Sequence, residues 1–233
     1  MPRVEPFNKY LNEYDKWFEE HHYVYLSELE AVRQFIPVGK KGIEIGIGTG
    51  RFSIPFGINE GVEPSLVMRH FTSHKGLKVY DGIAENLPLE DNSYDFVLMV
   101  TTICFVDNIS KCLNEVYRVL KPGGNLILGF VDKSSPLGKE YEKFKVKNKF
   151  YRFATFYSIN EIKKYLNDAN FGELNIIQTV FGDLHTINEV QMFKEGYGEG
   201  GFVVISATKV LNKKTQHITE INETQINEVQ KWH

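Results

Sequence analysis

One short segment constrains this chain more than any other. Residues 41–50 read KGIEIGIGTG, an apolar stretch of strand length that carries Glu44 and then places glycine at Gly46, Gly48 and Gly50. Glycine adopts backbone angles that other residues resist, and without a Cβ atom it lets a ligand approach the main chain closely. The segment therefore predicts a strand followed by a ligand-binding turn, with a carboxylate placed to hold a polar, partly cationic small molecule.

The overall composition is that of a globular protein. Hydrophobic residues make up 42% and charged residues 24% of the 233 residues, which excludes a wholly disordered chain and allows a large buried core. The formal net charge of −3 gives no reason to expect nucleic acid as a partner. The only cysteines, Cys104 and Cys112, form no CxxC pair, which argues against a disulfide scaffold and a structural zinc site.

The chain shows no targeting or membrane signal. Its first residues are charged where a signal peptide is apolar, and no apolar run approaches the roughly 20 residues that cross a bilayer. We therefore expect a soluble cytoplasmic protein that does not bind membranes. The sequence leaves its oligomeric state open.

Strand and helix patterns alternate along the chain. Apolar runs with flanking turn residues predict strands at 43–47, 61–63, 77–80, 94–100, 125–130, 176–180 and 202–207. Stretches of helical periodicity separate most of these runs, so the order predicts βαβ units and an α/β fold with a largely parallel sheet. The unbroken apolar half of 94–100 is typical of a central strand that is covered on both faces.

Composition also divides the chain into regions. Aromatic and apolar residues recur at helical spacing over 8–36 until Pro37 interrupts the pattern, whereas the residues after position 211 are mostly polar. The predicted units are an N-terminal helical cover at 1–38, a main domain at 39–211 with a helical insertion at about 134–157, and a polar C-terminal tail at 212–233.

Three helix starts are marked by capping residues. Pro64 and Ser65 are predicted to open one helix, and Asp107 is predicted to cap another. Ser158 and Glu161 have the serine-x-x-glutamate spacing of a capping box, which predicts a third helix start.

Polar and small residues follow the predicted strands where each one ends. Glu63 comes nineteen positions after Glu44, at the end of the second strand, and a carboxylate there can accept hydrogen bonds from both hydroxyls of a ribose. The small residues of 82–88 follow the third strand, and Thr101 and Thr102 follow the fourth. Open α/β sheets bind ligands at this edge, so we expect one nucleoside-binding crevice there.

These segments together resemble one family. The combination is similar to the class I S-adenosylmethionine-dependent methyltransferases, and more specifically to their small-molecule branch, called type 11 or UbiE-like. The matching segments are 44–52, 61–68, 82–88, 93–100 and 113–124. The resemblance implies a Rossmann-like fold with a seven-stranded, mostly parallel sheet, a last strand that is antiparallel, and helices on both faces.

The resemblance also implies a role for each matching residue. Glu44 would lie near the methionine amine of the cofactor, Glu63 would hold the ribose hydroxyls, and Thr101 would approach the methionine end. The further residues implied in cofactor binding are Gly46, Gly48 and Gly50 under the methionine and ribose, Pro64 and Ser65 beside the adenine, and Ile83, Ala84 and Glu85 against the adenine. Many relatives have Asp where this chain has Ile83, so the adenine contact is expected to come from backbone or from Glu85.

The methyl acceptor is expected to be a small molecule, attacked through an N, O, C or S atom. Predicted substrate walls are the N-terminal segment, the end of the fourth strand and the region after the fifth; their residues are Tyr10, Tyr14, Trp17, Thr102, Cys104, Asp132 and Tyr141. Tyr14 or Trp17 could also cover the cofactor as part of a lid. No catalytic residue is assigned, because in-line methyl transfer from a sulfonium requires orientation but no universal general base.

Other functions fit the sequence less well. A nicotinamide-dependent oxidoreductase needs a small residue three places after the second glycine, where this chain has Arg51. His70 and His74 lie one helical turn apart, but no further ligands complete a metal site, so no metal is expected. A non-catalytic or regulatory protein that binds S-adenosylmethionine on the same fold stays open as an alternative.

Overall fold

The computed structural model describes residues 4–210, which form one mixed sheet flanked by helices. Its eight strands are β1 (Gly42–Ile45), β2 (Glu60–Val62), β3 (Lys78–Tyr80), β4 (Tyr94–Val100), β5 (Leu120–Val131), β6 (Phe171–Thr179), β7 (Lys194–Glu195) and β8 (Phe202–Lys209). The α-helices of these residues are α1 (Glu5–Lys9), α2 (Leu11–Glu20), α3 (His22–Arg33), α4 (Leu66–His74), α5 (Ile109–Val119), α6 (Pro136–Phe144) and α7 (Ile159–Asp168).

The strand order is β3-β2-β1-β4-β5-β8-β6-β7. The pairs from β3 to β5 are all parallel, whereas β8 lies antiparallel between β5 and β6. The predicted Rossmann-like α/β sheet is therefore confirmed, with β8 as the antiparallel last strand. The short β7 is additional to the seven predicted strands, because Lys194 and Glu195 carry no apolar alternation.

Two hydrophobic cores lie on opposite faces of the sheet. Val97 and Met99 of β4 pack on the side of α5 and α7, and Leu98 and Val100 pack on the side of α3. Successive side chains of a strand point to opposite faces, so β4 must be apolar throughout to fill both cores. This double burial explains the unbroken apolar run in the sequence.

Two of the three predicted helix starts are confirmed. The Ser65 hydroxyl accepts from the Met68 amide at the start of α4, and Ser158 and Glu161 form both hydrogen bonds of a capping box on α7. The prediction for Asp107 is wrong by one residue, since Asn108 caps α5 by accepting from the Lys111 amide. Asp and Asn are equally good N-caps, so composition alone does not choose between these neighbours.

The N-terminal segment is helical but not continuous. Tyr10 and His21 have φ values of −122° and −114°, which interrupt the predicted 8–36 helix and separate α1, α2 and α3. After β5, α6 is followed by short 3-10 turns at Lys145–Lys147 and Tyr151–Phe153, within the predicted insertion. The predicted tail at 212–233 lies outside the described residues.

No helix within residues 4–210 is both long enough and apolar enough to cross a membrane.

Candidate functional site

A cavity of about 680 Å³ opens at the carboxyl ends of the parallel strands. It is bordered by Gly46 and Gly48 after β1, by Glu63 after β2, by residues 82–85 after β3 and by Thr101 after β4. Parallel strands bring these ends to one edge of the sheet, where α/β proteins bind ligands. The volume is within the range of roughly 300–1,000 Å³ that is typical of sites for small organic ligands.

The turn after β1 requires glycine at two positions. Gly46 has a φ of +73°, and a Cβ atom there would lie 2.4 Å from the Thr102 hydroxyl oxygen. Gly48 has a φ of +52°, and a Cβ atom there would lie 3.2 Å from the Tyr14 hydroxyl oxygen. The turn thus exposes bare backbone to the cavity. Gly50 lies outside the cavity lining, beside Ile54 and Thr72.

Glu63 is a cavity-lining carboxylate that the backbone holds in place. Its side chain accepts hydrogen bonds from the amides of Gly48 at 3.0 Å and of Ser65 at 2.8 Å. Burial raises its pKa, although both amides and the charge of Arg69 act in the opposite direction. Each carboxylate oxygen can accept a second hydrogen bond, so Glu63 retains acceptor capacity for a ligand.

Glu44 lies outside the cavity lining. Its side chain is 2% exposed and accepts a hydrogen bond from the Ser53 hydroxyl. Burial raises its pKa to about 8, with a smaller contribution from the charge of Glu63. Because Glu44 supports the turn from within the protein, its position gives no support to the predicted contact with a methionine amine.

The residues that follow β2 and β3 also line the cavity. Four of those predicted to contact the adenine are among them: Pro64, Ile83, Ala84 and Glu85. The Glu85 carboxylate accepts from the amides of Asp107 and Asn108 at 2.6 and 3.1 Å, so it ties the turn after β3 to the start of α5.

The other predicted adenine neighbour, Ser65, lies outside the lining. Its hydroxyl caps α4 and donates to Asn8 at 2.7 Å, so the group is already used by the fold.

Thr101 lines the cavity in an unusual backbone conformation. Its φ of +52° lies in the left-handed region, which is rare for a β-branched residue. The amide of Thr101 donates to the Gly129 carbonyl at 2.8 Å, which holds this conformation at the end of β4. Strained backbone of this kind is concentrated at functional sites.

Aromatic side chains of the N-terminal helices and of residues 105–151 pack together along the cavity. Phe7 of α1 packs against Phe105 and Phe150 with ring centroids 5.1 and 5.7 Å apart, and Tyr14 of α2 packs against Phe150 at 6.0 Å. Tyr151 stacks on Phe105 at 6.0 Å. The N-terminal helices and the segment after α6 therefore meet across the opening of the cavity.

Four of the seven predicted substrate residues line this cavity: Tyr14, Trp17, Thr102 and Tyr141. The other three lie outside the lining, each for a structural reason. The Tyr10 ring packs on Phe150, and Cys104 faces a separate cavity of about 10 Å³. Asp132 is fully buried, where its Oδ1 accepts from the amides of Ser134 and Ile159.

Comparison with known proteins agrees with this geometry. A family model described as "Methyltransferase domain" matches residues 43–128. A SAM-dependent methyltransferase of Thermotoga maritima, described as a possible histamine N-methyltransferase, is 50% identical with a TM-score of 0.85, over 88% of this chain and 98% of its own. This chain belongs to the S-adenosylmethionine-dependent methyltransferase family.

Two further relatives illustrate the range of similarity. An uncharacterized protein of Methanocaldococcus jannaschii is 46% identical to this chain over 204 residues. The match covers 88% of this chain and 98% of the relative. A phosphoethanolamine N-methyltransferase of Haemonchus contortus, solved with phosphomonomethylethanolamine and S-adenosylhomocysteine, shares the fold at 17% identity and a TM-score of 0.57. That match covers 79% of this chain and 52% of the other.

An ion pair joins the N-terminal helices of the methyltransferase to its glycine turn. The Asp15 carboxylate of α2 accepts from Arg51 Nε at 2.7 Å and from the Thr49 hydroxyl at 2.8 Å, and it also accepts from a terminal nitrogen of Arg51. Arg51 is the residue that argues against a nicotinamide site in the sequence. In the structure its ion pair with Asp15 anchors helix α2 to the glycine turn. Neither Asp15 nor Arg51 is among the site residues predicted from the sequence.

Glu28 of α3 is a second functional candidate that is absent from the residues predicted from the sequence. Its side chain is 7% exposed, lines the cavity, and has no hydrogen bond or ion pair with any residue between 4 and 210. Burial raises its pKa to about 8. A signal was available in the sequence, because Glu28 lies one helical turn from both Val24 and Val32 and places an acid within the buried stripe of α3.

Within the described part of the chain, no group of three or more His, Cys, Asp and Glu side chains is arranged to hold a metal ion. His74 of α4 places Nδ1 2.6 Å from the His70 carbonyl oxygen, which is an ordinary contact between successive helical turns.

Proposed function

We propose that the methyltransferase transfers the methyl group of S-adenosylmethionine to a small molecule held in the aromatic half of its cavity. The observation that carries this proposal is the continuity of one cavity from Glu63 and the glycine turn to the aromatic residues of the cover. A bound cofactor and an acceptor would share this space.

In this proposal the cofactor lies along the carboxyl ends of β1 to β4. Glu63 holds the ribose hydroxyls, Gly46 and Gly48 pass under the methionine and ribose, and Ile83 and Ala84 contact the adenine. The fit is supported by the fixed carboxylate of Glu63, by the exposed backbone of the turn, and by the apolar lining after β3. Thr101 is proposed to border the methionine end.

Methyl transfer requires little covalent chemistry from the protein. S-adenosylmethionine, when bound, supplies an activated methyl group on a sulfonium sulfur. The residues of the chain must orient the acceptor atom and exclude water, and orientation of this kind can lower a barrier by roughly 7–11 kcal/mol. The contacts of Phe7 and Tyr14 with Phe150 support a water-excluding role for the cover.

Two relatives support a small acceptor. The Thermotoga maritima protein is described as acting possibly on histamine, and the Haemonchus contortus enzyme was solved with phosphomonomethylethanolamine. A cavity of about 680 Å³ has room for a cofactor and a compact second molecule rather than for a folded macromolecule.

We also propose a cytoplasmic location and the predicted division into cover, main domain and insertion. The chain has only two cysteines and both are buried, which suits a reducing compartment. The aromatic contacts between α1, α2 and the segment after α6 support a covering role for residues 1–38 and 134–157.

The experiment that tests the function combines binding with turnover. Calorimetric titration with S-adenosylmethionine is expected to show a single site per chain. Incubation with amine, hydroxyl and thiol acceptors, followed by mass spectrometry, is expected to yield a product heavier by one methylene for at least one class. Tight cofactor binding without product from any acceptor would support the regulatory alternative, and absence of binding would reject both.

A further inference from the structure

Glu28 differs from the other carboxylates around the cavity. Glu44, Glu63 and Glu85 each accept hydrogen bonds from a hydroxyl or from backbone amides. Glu28 accepts none from the described residues, although it is as buried as Glu63. Residues 4–210 therefore offer no structural partner that would explain why an acid occupies this position on α3.

An unpaired buried carboxylate is costly to the fold. Loss of solvation disfavours its charged form, and replacing such a group by a neutral one is usually neutral or stabilising. The pKa of Glu28 is accordingly raised to about 8 by burial. A ligand that brings a positive charge and hydrogen-bond donors would remove this cost by pairing with the carboxylate.

The surroundings of Glu28 suit a cation with an apolar body. Burial is the main reason that the pKa of Tyr14, Tyr141 and Tyr151 is raised, so these phenols stay neutral near pH 8. The charge of Glu28 adds to the rise for all three, although Glu44 and Glu63 contribute more for Tyr14. Trp17 adds a further aromatic face to the same cavity, and aromatic faces attract ammonium groups.

The lysines of the cavity do not neutralise Glu28. Lys111, Lys147 and Lys149 line the opening, and Lys149 pairs with Glu13 at 3.5 Å. None of the three forms an ion pair with Glu28. Glu13 also lines the cavity but is exposed and paired with Lys149, so among the described residues Glu28 is the buried carboxylate of the aromatic half that is available to a ligand.

We propose that Glu28 binds the protonated nitrogen of an amine acceptor, a primary or secondary amine with an aromatic or apolar body, and takes up the proton which that nitrogen must lose before methylation. This inference rests on the proposed function, since it names the acceptor of the same site. It assigns the acceptor atom as nitrogen and gives the site a residue that contacts it.

The proton and electron balance is complete. One N–H bond of the ammonium breaks, and its proton passes to a Glu28 carboxylate oxygen. The lone pair left on nitrogen forms the new N–C bond, while the electron pair of the broken S–C bond stays on sulfur and gives the neutral thioether. The proton on Glu28 is then released to water. A group with a pKa close to neutrality is suited to this exchange.

The test compares amines with hydroxyl compounds of the same shape. Phenethylamine, benzylamine and cyclohexylamine are titrated calorimetrically against 2-phenylethanol, benzyl alcohol and cyclohexanol. Each titration uses the full chain, both alone and saturated with S-adenosylhomocysteine. At least one amine is expected to bind about tenfold or more tightly than its alcohol, because hydrogen bonds to charged groups are worth more than neutral ones.

Glu28→Gln is the deciding variant, and Glu30→Gln is its control. Glu30 lies on the same helix but pairs with Arg33 at the surface and does not line the cavity. Glu28→Gln is expected to remove the preference for the amine over the alcohol while S-adenosylhomocysteine still binds, which shows that the variant is folded. Glu30→Gln is expected to retain the preference.

The outcomes separate the two proposals. Binding of S-adenosylhomocysteine without any preference of the wild-type protein for amines would overturn the role of Glu28 and leave the proposed function standing. An amine preference that survives Glu28→Gln would also overturn it. Failure of S-adenosylhomocysteine to bind the wild-type protein would instead reject the proposed function.

Discussion

Glu63 and Glu28 line the same cavity and are equally buried, yet the fold treats them in opposite ways. Two backbone amides donate to Glu63, so its charge is compensated before any ligand arrives. Glu28 has no such donors among the described residues, and its pKa is raised to about 8. Equal burial thus hides a difference in preorganisation: backbone donors already satisfy Glu63, whereas we propose that a ligand supplies the partner of Glu28.

The same contrast extends to the two halves of the cavity. The half around Glu63 is made by strand ends and turns of residues 45–101, which fall within the range matched by the methyltransferase family model. The half around Glu28 is made largely by side chains of α1 to α3 and of residues 137–151, outside that range. The family model therefore covers the strand ends around Glu63 but not the helices and loop around Glu28.

The largest expected effect is a loss of cofactor affinity when Glu63 is replaced. Glu63→Ala is expected to weaken S-adenosylmethionine binding by about a hundredfold, because two or more hydrogen bonds to a charged group are lost. Calorimetric titration measures the change. Glu60→Ala is the control, since Glu60 begins the same strand and accepts from the Tyr80 and Tyr94 hydroxyls instead. Equal losses in both variants would show that the strand, not the Glu63 carboxylate, governs binding.

A smaller loss of cofactor affinity is expected when the ion pair between Asp15 and Arg51 is removed. Asp15→Ala removes the ion pair with Arg51 and is expected to weaken cofactor binding about three- to tenfold and to speed amide hydrogen exchange in α2. Glu19→Ala is the matched change, because Glu19 is 71% exposed and only 3.5 Å from the same guanidinium. If hydrogen exchange in α2 is unaltered by Asp15→Ala, the ion pair does not anchor the cover.

Replacing the Glu28 carboxylate is expected to change the free energy of unfolding by about 1–3 kcal/mol. The pKa of Glu28 is raised from an ordinary 4.5 to about 8, so the folded state binds its proton more tightly than the unfolded state. Its contribution is therefore favourable below pH 4.5 and is lost as the pH rises to 8. Glu28→Gln is expected to raise the free energy of unfolding at pH 8 but not at pH 4.5.

Urea unfolding at both pH values checks this prediction. Glu44 also has a pKa of about 8, so the variant should keep part of the wild-type pH dependence. A variant that is less stable than wild type at pH 8 would mean that Glu28 has a structural partner after all.

The smallest effect is expected outside both halves. His70→Ala and His74→Ala are expected to change stability by less than about 0.5 kcal/mol and to leave cofactor affinity unchanged, because they alter the surface of α4 only. Activity is expected to be insensitive to chelators in the wild-type protein and in both variants. A metal requirement abolished by either substitution would contradict this prediction.

Local signals explain which parts of the fold were predictable. Glu63 and the glycine turn follow from strand ends and glycine spacing, which are set by neighbours in the sequence. The breaks at Tyr10 and His21 were not predictable, because apolar periodicity continues through both. The two-residue β7 likewise depends on pairing with β6 rather than on its own composition.

The acceptor half was harder to predict because distant segments build it. Phe7, Phe105 and Phe150 are far apart in the sequence, and each alone is typical of core packing. Cys104 and Asp132 were predicted as substrate residues from their proximity to strand ends, but one residue along a turn is enough to direct a side chain away from a cavity. Glu28 showed its signal only as an acid in an apolar helical stripe.

The position of β8 has a consequence for biosynthesis. This strand lies between β5 and β6, so β6 and β7 join the sheet only through residues 202–209. While a ribosome still encloses those residues, β5 is an open apolar edge that can pair with another nascent chain. The enzyme therefore completes its sheet only after residues 202–209 have left the ribosome.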